Sequence, residues 1–381
     1  MEIKDLNIGL TLSGGGVRAS SFHLGVLARL ADENLLEKVT MISSVSGGSL
    51  VVGLIYQSNN NKWPTSQEFK TICMPYVQKC LTERNLQLNA IGRLFVSPLT
   101  IIKKGRAAIF SGAMKQCWGI TSNLNDIPNK PRWNINATAI ESGKSWRFIP
   151  NERMGDWKLN YVDKPKISLS DALCSSAAVP FLIGPYKIKT KDHKWYQYIS
   201  GGTAPFIHKI KTLHIWDGGA YDNLGLEPLI EFEYGVKYRK EINFIIISDA
   251  AAAIDTNERK WYNPMRLIDI TMDQVRALRA RTMWDHFKTN KNTGVYVMIG
   301  ESNEINYGKT KPDFPLTDIT KTTLTPYDIR KAKEYPTTLW KMQTPNFSKL
   351  YLHGWEAANA SLICQCPNLF TNQKISNGIS N

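Results

Sequence analysis

The sequence predicts an α/β fold with a mostly parallel central sheet and helical insertions. Two short apolar runs, 8–12 and 39–44, each end in a glycine-rich turn, and apolar residues at helical spacing follow each turn. A third run, 242–248, consists largely of isoleucine with one phenylalanine, which is typical of a buried strand. A strand–turn–helix unit repeated in this way places both turns at the carboxyl edge of one parallel sheet. Open α/β sheets carry their chemistry at that edge.

The individual elements are predicted from periodicity and turn residues. Apolar side chains fall on one face of a helix over about 20–34. The stretch 141–144 separates two strand-like runs, which indicates a hairpin, and Pro180 follows a helical pattern that it cannot continue. The predicted elements are strands at 8–12 and 39–44, helices at about 20–34 and after residue 46, a mainly helical region at 64–121, a hairpin at 134–140 and 145–149, a helix at 168–176, strands at 195–199, 213–216 and 242–248, a helix at 268–287, a strand at 294–299 and a helix around 347–363.

The domain organisation is predicted to be simple. The 381 residues contain no linker-like stretch, internal repeat or low-complexity block. We therefore expect one domain over 1–381, with its core motifs within about 8–230. Residues 231–381 are expected to complete the sheet and the helical layer.

Composition indicates a globular protein that attracts anions. Hydrophobic residues make up 43% of the chain, charged residues 21%, and the net charge is +14. Such a charge would attract anionic lipid headgroups or nucleic acid, and it is equally consistent with a charge that only keeps the protein soluble. No basic and aromatic residues alternate as in a nucleic-acid-binding module, so we expect no nucleic-acid partner. The six cysteines have neither disulfide-framework nor zinc spacing. We expect reduced thiols and a cytoplasmic location, and oligomeric state is left open.

No apolar run reaches the length of a membrane-spanning helix. The nearest is 86–110, where apolar residues are mixed with basic ones and Pro98 interrupts the run. Two interpretations stay open for this segment. One is a lid that meets a membrane surface, and the other is a pair of helices packed on the core.

The two glycine-rich turns carry the clearest chemical signal. Gly14, Gly15 and Gly16 follow the first strand and expose backbone N–H groups. Ser46, with Gly48 two positions later, follows the second strand in the pattern of a nucleophile elbow. Acyl transfer needs such a serine and such donors for the oxyanion. A phosphate-binding loop is the rival interpretation, but the Walker and dinucleotide glycine spacings are both missing.

The general base is left open by the residues alone. Asp217, followed by Gly218 and Gly219, ends a predicted strand and is one candidate, provided that partial burial raises its pKa. A Ser–Asp–His triad is the alternative, for which His286 and His353 lie in suitable chain order. The same residues are also consistent with a non-catalytic turn at 217–219 and with histidines that have only structural roles.

Taken together, three motifs resemble the patatin-like phospholipases, whose fold is shared by the catalytic domains of cytosolic phospholipases A. They are Ser13-Gly14-Gly15-Gly16-Val17-Arg18, Ser44-Val45-Ser46-Gly47-Gly48 and Asp217-Gly218-Gly219. The stretches 135–144 and 171–180 and the residues Asn223 and Pro228 also resemble that family. The resemblance covers about 8–230 and implies a three-layer α/β/α sandwich. Ser44 departs from the family pattern, which has glycine there.

The resemblance implies roles for individual residues. Ser46 and Asp217 would form a catalytic dyad without histidine, and Gly14 to Gly16 would form the oxyanion hole. Arg18 would position that loop or the substrate phosphate, and Gly48, Gly218 and Gly219 would support the site. No metal or cofactor is needed for such a dyad, and no acidic loop has calcium-ligand spacing.

The resemblance also implies a substrate and a setting. It favours hydrolysis of acyl esters of membrane lipids by a protein bound peripherally to a phospholipid surface. Some cytosolic bacterial members with a similar opening motif are membrane-degrading effectors switched on by a signal, so an activating small ligand is an expected partner. The alternatives are a soluble esterase or thioesterase and a non-catalytic module that binds anionic lipids.

Overall fold

Five parallel strands form the centre of the structure. The structure is a computed structural model that describes residues 2–96, 105–180, 183–251, 264–316 and 323–370. The strands are β1 Ile8–Leu12, β2 Val39–Val45, β3 Arg132–Ala139, β4 Lys144–Ile149, β5 Arg153–Asp156, β6 Asn160–Asp163, β7 Tyr186–Lys189, β8 Trp195–Ile199, β9 Gly202–Phe206, β10 Thr212–Asp217, β11 Ile230–Glu231, β12 Lys237–Tyr238, β13 Phe244–Asp249 and β14 Gly294–Met298. The parallel core has the order β14-β13-β1-β2-β3. Every residue of β1 and β13 is buried, as expected for strands covered on both faces.

Helices cover this core. They are α1 Gly16–Asp32, α2 Gly47–Ser58, α3 Ser66–Glu68, α4 Met74–Thr82, α5 Leu86–Val96, α6 Ala107–Cys117, α7 Leu169–Ser176, α8 Gly219–Asp222, α9 Pro264–Thr289, α10 Asn303–Thr310, α11 Pro326–Glu334, α12 Thr344–Gln365 and α13 Pro367–Phe370. The mostly parallel core with flanking helices confirms the predicted fold class. No helix within the described ranges is long and apolar enough to cross a membrane.

Helices α1 and α12 cross at very short distance, because glycine lies at the contact on both. A Cβ atom on Gly25 would lie 2.8 Å from the backbone nitrogen of Trp355, and one on Gly354 would lie 2.9 Å from the carbonyl carbon of Phe22. Helix α1 begins at Gly16, earlier than the predicted start near residue 20. The C-terminal part therefore supplies a layer helix as well as two core strands, although the single-domain organisation stays a prediction.

Strand β3 is the junction between the parallel core and the rest of the sheet. Along one edge, β2 pairs in parallel with 132–136, ending with Val45 opposite Asn136. The same edge continues with β10, which runs antiparallel to β3 and ends with Asp217 opposite Ala137. On its other edge β3 pairs with β4, as the predicted hairpin requires. The ends of β2 and β10 thus meet on consecutive residues of β3.

Beyond β4 the sheet continues as an antiparallel extension, β4-β5-β6-β8-β9, which the sequence analysis recognised only in part. Strands β5, β6 and β7 are four residues each, too short for alternation of apolar and polar residues to be distinctive. β7 pairs with residues 212–215 of β10, of which only Ile215 also pairs with β3.

The segment 86–110 begins as a helix packed on the core. Leu86 and Ala90 of α5 are buried, and Arg93 donates a hydrogen bond to Gln116 of α6 (Nη2 to Oε1, 3.0 Å). The part of the segment with Pro98 lies outside the described residues, so the lid interpretation stays a prediction.

Candidate active site

Ser46 occupies a strained turn between β2 and α2. Its φ of 49° and ψ of −116° are unusual for a non-glycine residue. The turn is tight because glycines follow it. A Cβ atom on Gly48 would lie 2.7 Å from the carbonyl carbon of Leu12, and one on Gly47 would lie 2.9 Å from the nitrogen of Gly16. The strain fixes the Ser46 side chain at the carboxyl edge of the sheet, at the amino end of α2.

Asp217 is the carboxylate that faces Ser46. It lies at the end of β10, 5% exposed, and its Oδ1 accepts a hydrogen bond from the Gly219 N–H group (2.7 Å). Burial raises the pKa of Asp217 to about 6, against the opposing effects of the Gly219 N–H group and the Ser46 hydroxyl. Its Oδ2 accepts no hydrogen bond from the described residues. Asp217 therefore offers one free carboxylate oxygen beside the serine.

A chain of hydroxyl groups supports the serine turn from below. The Ser176 hydroxyl donates to the Asn136 carbonyl (2.7 Å) and accepts from the backbone N–H of Ser46 (3.0 Å). Because that hydroxyl has only one proton, the contact between Ser49 Oγ and Ser176 Oγ (2.8 Å) must be donated by Ser49.

The chain of hydroxyls continues to the residue that departs from the family pattern. Since Ser49 donates to Ser176, the Ser44 hydroxyl must donate to Ser49 (2.9 Å), and it accepts from Trp133 Nε1 (2.8 Å). Ser44 lies within β2 and has no positive φ. A glycine is therefore not required there, and the serine side chain satisfies a buried indole N–H.

The glycine loop 14–16 lies directly against Ser46. A Cβ atom on Gly14 would come 3.2 Å from the Ser46 Cβ atom. Gly15 and Gly16 have φ values of 143° and 60°, which favour glycine. The Gly14 N–H group donates to the carbonyl of Asn223 (3.3 Å). By contrast, no acceptor among the described residues takes the N–H groups of Gly15, Gly16 or Gly47.

Arg18 lies beside the glycine loop, in the first turn of α1. The side chain is 2% exposed and donates to two backbone carbonyls, those of Ala250 (from Nε, 3.2 Å) and Tyr335 (from Nη1, 2.6 Å). Burial lowers the pKa of Arg18 to about 10, and nearby Asp249 opposes that effect. These contacts favour a loop-positioning role over contact with a substrate phosphate.

Gly218 and Gly219 leave no room for larger side chains. A Cβ atom on Gly218 would lie 2.5 Å from the Asn136 carbonyl oxygen, and one on Gly219 would lie 2.9 Å from Asp217 Oδ1. Gly218 therefore lets β10 end against β3, and Gly219 lets a backbone N–H group reach the carboxylate.

Comparisons with known proteins give one match by sequence and several by structure. The sequence model described as patatin-like phospholipase matches residues 10–230, more than half of the chain. The chain belongs to the patatin-like phospholipase family. Among curated proteins, no relative matches the sequence.

Solved structures show the same fold. Human GIVD cytosolic phospholipase A2 superposes with a TM-score of 0.54 at 13% identity, covering 93% of this chain and 58% of that one. The same human protein in complex with a methyl gamma-linolenyl fluorophosphonate inhibitor and terbium chloride gives a TM-score of 0.51 at 12% identity, covering 93% and 57%. This patatin-like chain thus spans less than two thirds of the length of that enzyme.

None of the histidines of this patatin-like chain joins the site. His353 is buried, and its Nε2 accepts from the Gly300 N–H group (2.7 Å), while burial lowers its pKa to about 3. His286 contacts Asn290, the residue that follows its own helix. His23 holds the Ser13 carbonyl and the Ser248 hydroxyl (2.9 and 2.7 Å). All six histidines lie in the described ranges, and none forms a hydrogen bond with Ser46 or Asp217.

Three residues matter to the site although the sequence analysis assigned them no role. Asn136 and Ser176 hold the serine turn, and the Asn223 carbonyl accepts a hydrogen bond from the Gly14 N–H group. Asn136, Ser176 and Asn223 all lie in stretches that resemble the family, and that was the available signal. No cluster of metal-ligating side chains occurs in the part of the chain that the structure describes.

Proposed function

We propose that this protein is a lipid acyl hydrolase of the phospholipase A or lysophospholipase type, acting through Ser46 and Asp217. The observation that carries the proposal is the free, buried Oδ2 of Asp217 beside a serine held in a strained turn. Family membership supports the reaction class. The dyad and the oxyanion hole are inferences from geometry.

In the first half-reaction, Ser46 Oγ attacks the ester carbonyl carbon while Asp217 Oδ2 accepts the hydroxyl proton. The carbonyl oxygen becomes an oxyanion, for which the N–H groups of Gly15 and Gly16 are the proposed donors, assisted by Gly47 at the amino end of α2. Collapse of this intermediate breaks the ester bond. Asp217 returns the proton to the departing alcohol oxygen, and the acyl group stays on Ser46.

In the second half-reaction, water attacks the acyl carbonyl and gives its proton to Asp217. The same N–H groups hold the second oxyanion. When the Ser46–acyl bond breaks, Asp217 returns the proton to Ser46 Oγ, and the fatty acid leaves. Asp217 therefore acts alternately as general base and general acid, as its raised pKa suits.

In this proposal Gly14 provides space for the serine and does not donate to the oxyanion. Its N–H group is engaged by Asn223, so of the predicted loop 14–16 the donors are Gly15 and Gly16. A side chain at Gly14 would press on Ser46 and on Asn223 Oδ1, 2.5 Å from the added Cβ atom. Glycine at this position therefore leaves room for the reacting serine.

The proposed substrates are acyl esters in a phospholipid surface, and the proposed setting is peripheral association with a membrane. The net charge of +14 supports attraction to anionic headgroups. A soluble esterase or thioesterase is the alternative within the same reaction class. Activation by a small ligand and a role as membrane-degrading effector remain predictions from the family.

The test compares fatty-acid release from mixed phospholipid vesicles with hydrolysis of short-chain nitrophenyl esters. The proposal expects turnover on vesicles that Ser46→Ala and Asp217→Asn both abolish. It also expects a lipid fluorophosphonate, the inhibitor class bound by the similar human enzyme, to label Ser46. Turnover confined to short esters would favour the soluble esterase. Vesicle binding without labelling or turnover would favour the non-catalytic module.

A further inference from the structure

An open groove with a volume of about 1110 Å³ lies where β7 and β10 meet the antiparallel extension. Strands β7 and β10 form one side of the groove, and β8 and β9 form the other. Four exposed lysines line it: Lys189, Lys191, Lys194 and Lys211. We call this feature the lysine groove.

The lysine groove has a strong positive charge that the protein does not neutralise. Residues 186–212 contain six lysines and one aspartate. No ion pair between a groove lysine and a carboxylate is found among the described residues, although Asp163 also lines the groove. Burial lowers the pKa of both His193 and His208, so the lysines alone carry the positive charge at neutral pH.

Apolar side chains lie between these charges. Trp195 and Phe206 pack their rings against His208, with centroid distances of 4.3 and 5.0 Å. Trp195 is fixed further by donating from Nε1 to the Thr190 carbonyl (2.8 Å). The neighbouring Ile207 is 90% exposed. Lysines beside an exposed aliphatic side chain match the boundary between lipid headgroups and acyl chains. A soluble anion would gain little from Ile207.

The position of the groove relative to Ser46 follows from strand pairing. β10 enters the sheet from beyond the carboxyl end of β3, where its first residues pair with β7 alone. Since a strand rises about 3.3 Å per residue, Thr212 at the groove lies about 17 Å from Asp217. The groove therefore projects from the same sheet edge at which β2 delivers Ser46.

We propose that the lysine groove is the surface by which this protein docks on anionic phospholipid bilayers. This inference rests on the proposed function, since docking here would hold the catalytic edge of the sheet at the bilayer that contains the substrate. The lysines bind the headgroup phosphates, and Ile207 enters the acyl-chain boundary.

Vesicle co-sedimentation of the full chain tests the proposal. All proteins carry Ser46→Ala, so that the vesicles stay intact, and vesicles of phosphatidylcholine alone are compared with vesicles containing phosphatidylglycerol. The groove variant replaces its lysines with alanine: Lys189→Ala, Lys191→Ala, Lys194→Ala and Lys211→Ala. The matched control removes the same charge from exposed lysines elsewhere: Lys237→Ala, Lys240→Ala, Lys288→Ala and Lys291→Ala.

We expect the groove variant to bind anionic vesicles at least about tenfold more weakly than the control variant does. Ile207→Ser, which leaves all charges in place, should also weaken binding. Thermal unfolding checks that each variant is folded. Equal losses in the groove and control variants would overturn the proposal, because binding would then follow net charge. A groove variant that loses affinity for a DNA duplex while keeping vesicle binding would overturn it too.

Failure of docking and failure of the proposed function give different results. Binding is measured without catalysis, whereas the proposed function is measured by turnover with Ser46 intact. If the function holds, the groove variant with Ser46 intact hydrolyses dispersed short-chain esters at the wild-type rate and vesicles more slowly. Loss of turnover on both substrates would contradict a role confined to docking.

Discussion

Ser46 and Asp217 approach each other from opposite directions along one edge of β3. Val45, the last residue of β2, pairs with Asn136, and Asp217, the last residue of β10, pairs with Ala137. Because β2 and β10 end on consecutive residues of β3, the Ser46 hydroxyl, one residue beyond β2, comes close to the Asp217 carboxylate. The backbone of the sheet therefore fixes the geometry of the proposed dyad.

The pH dependence of activity is set by Asp217 in this account. The carboxylate must be ionised to accept the Ser46 proton, and its pKa is raised to about 6. We therefore expect kcat/KM to fall as the pH drops through about 6 and to level off above it. Rates on a soluble short-chain ester, measured across this range, check the prediction. A rate that is constant through this region would rule out Asp217 as the base.

Asp217→Asn is expected to make the protein inactive and more stable. The folded-state pKa of Asp217 lies above its unfolded value of 3.8. Above pH about 6, the buried ionised carboxylate therefore lowers the free energy of unfolding. Neutral asparagine removes a penalty of up to about 3 kcal/mol at neutral pH. The gain should shrink as the pH falls towards 4, where the carboxyl is protonated.

Chemical denaturation at several pH values measures this gain in the free energy of unfolding. Asp192→Asn is the matched control, since Asp192 is exposed and should change stability little. Asp217→Asn that is less stable than wild type at neutral pH would contradict the assigned burial penalty.

Ser176→Ala is expected to slow the reaction about tenfold through kcat, by leaving the Ser46 N–H group without its acceptor. Ser176 touches no substrate in this account, so KM and the pH at which kcat/KM falls should not change. Ser175→Ala is the matched control: it removes a neighbouring buried hydroxyl that bonds only within its own helix, to the Asp171 carbonyl. Equal losses of kcat in the two variants would indicate general disruption of α7 instead.

Ser44→Gly restores the family pattern and is nevertheless expected to destabilise the protein. The change leaves Trp133 Nε1–H buried without an acceptor and breaks the hydroxyl chain at Ser49. The loss should be about 1–3 kcal/mol in the free energy of unfolding. Denaturant melts measure it, with Ser44→Thr, which keeps the hydroxyl, as the comparison. A glycine variant as stable as wild type would show that water satisfies the indole.

The sequence predicted the parallel core well, because long buried strands and amphipathic helices leave strong periodic signals. Residues 8–12 and 39–44 are strands, as predicted, and the turns after them meet at one edge. The extension from β5 to β9 was recognised only at 195–199, since strands of four residues carry almost no periodicity.

The candidate site was predicted at the level of residue types and order. Ser46 and Asp217 stand out through their glycine neighbours, and the structure brings them together. The roles of Ser176 and Asn223 depend on contacts between distant parts of the chain, which no local pattern encodes. The same holds for Gly14, whose N–H group is occupied by the Asn223 carbonyl while those of Gly15 and Gly16 are not.

The central claim is that Ser46 and Asp217 hydrolyse acyl esters of membrane lipids without histidine. Mass spectrometry of the products released from mixed phospholipid vesicles tests it most directly, comparing wild type with Ser46→Ala, Asp217→Asn and His286→Ala. The account predicts free fatty acid and lysolipid from wild type and His286→Ala, and neither product from the other two. Product from Asp217→Asn together with its loss in His286→Ala would contradict the dyad.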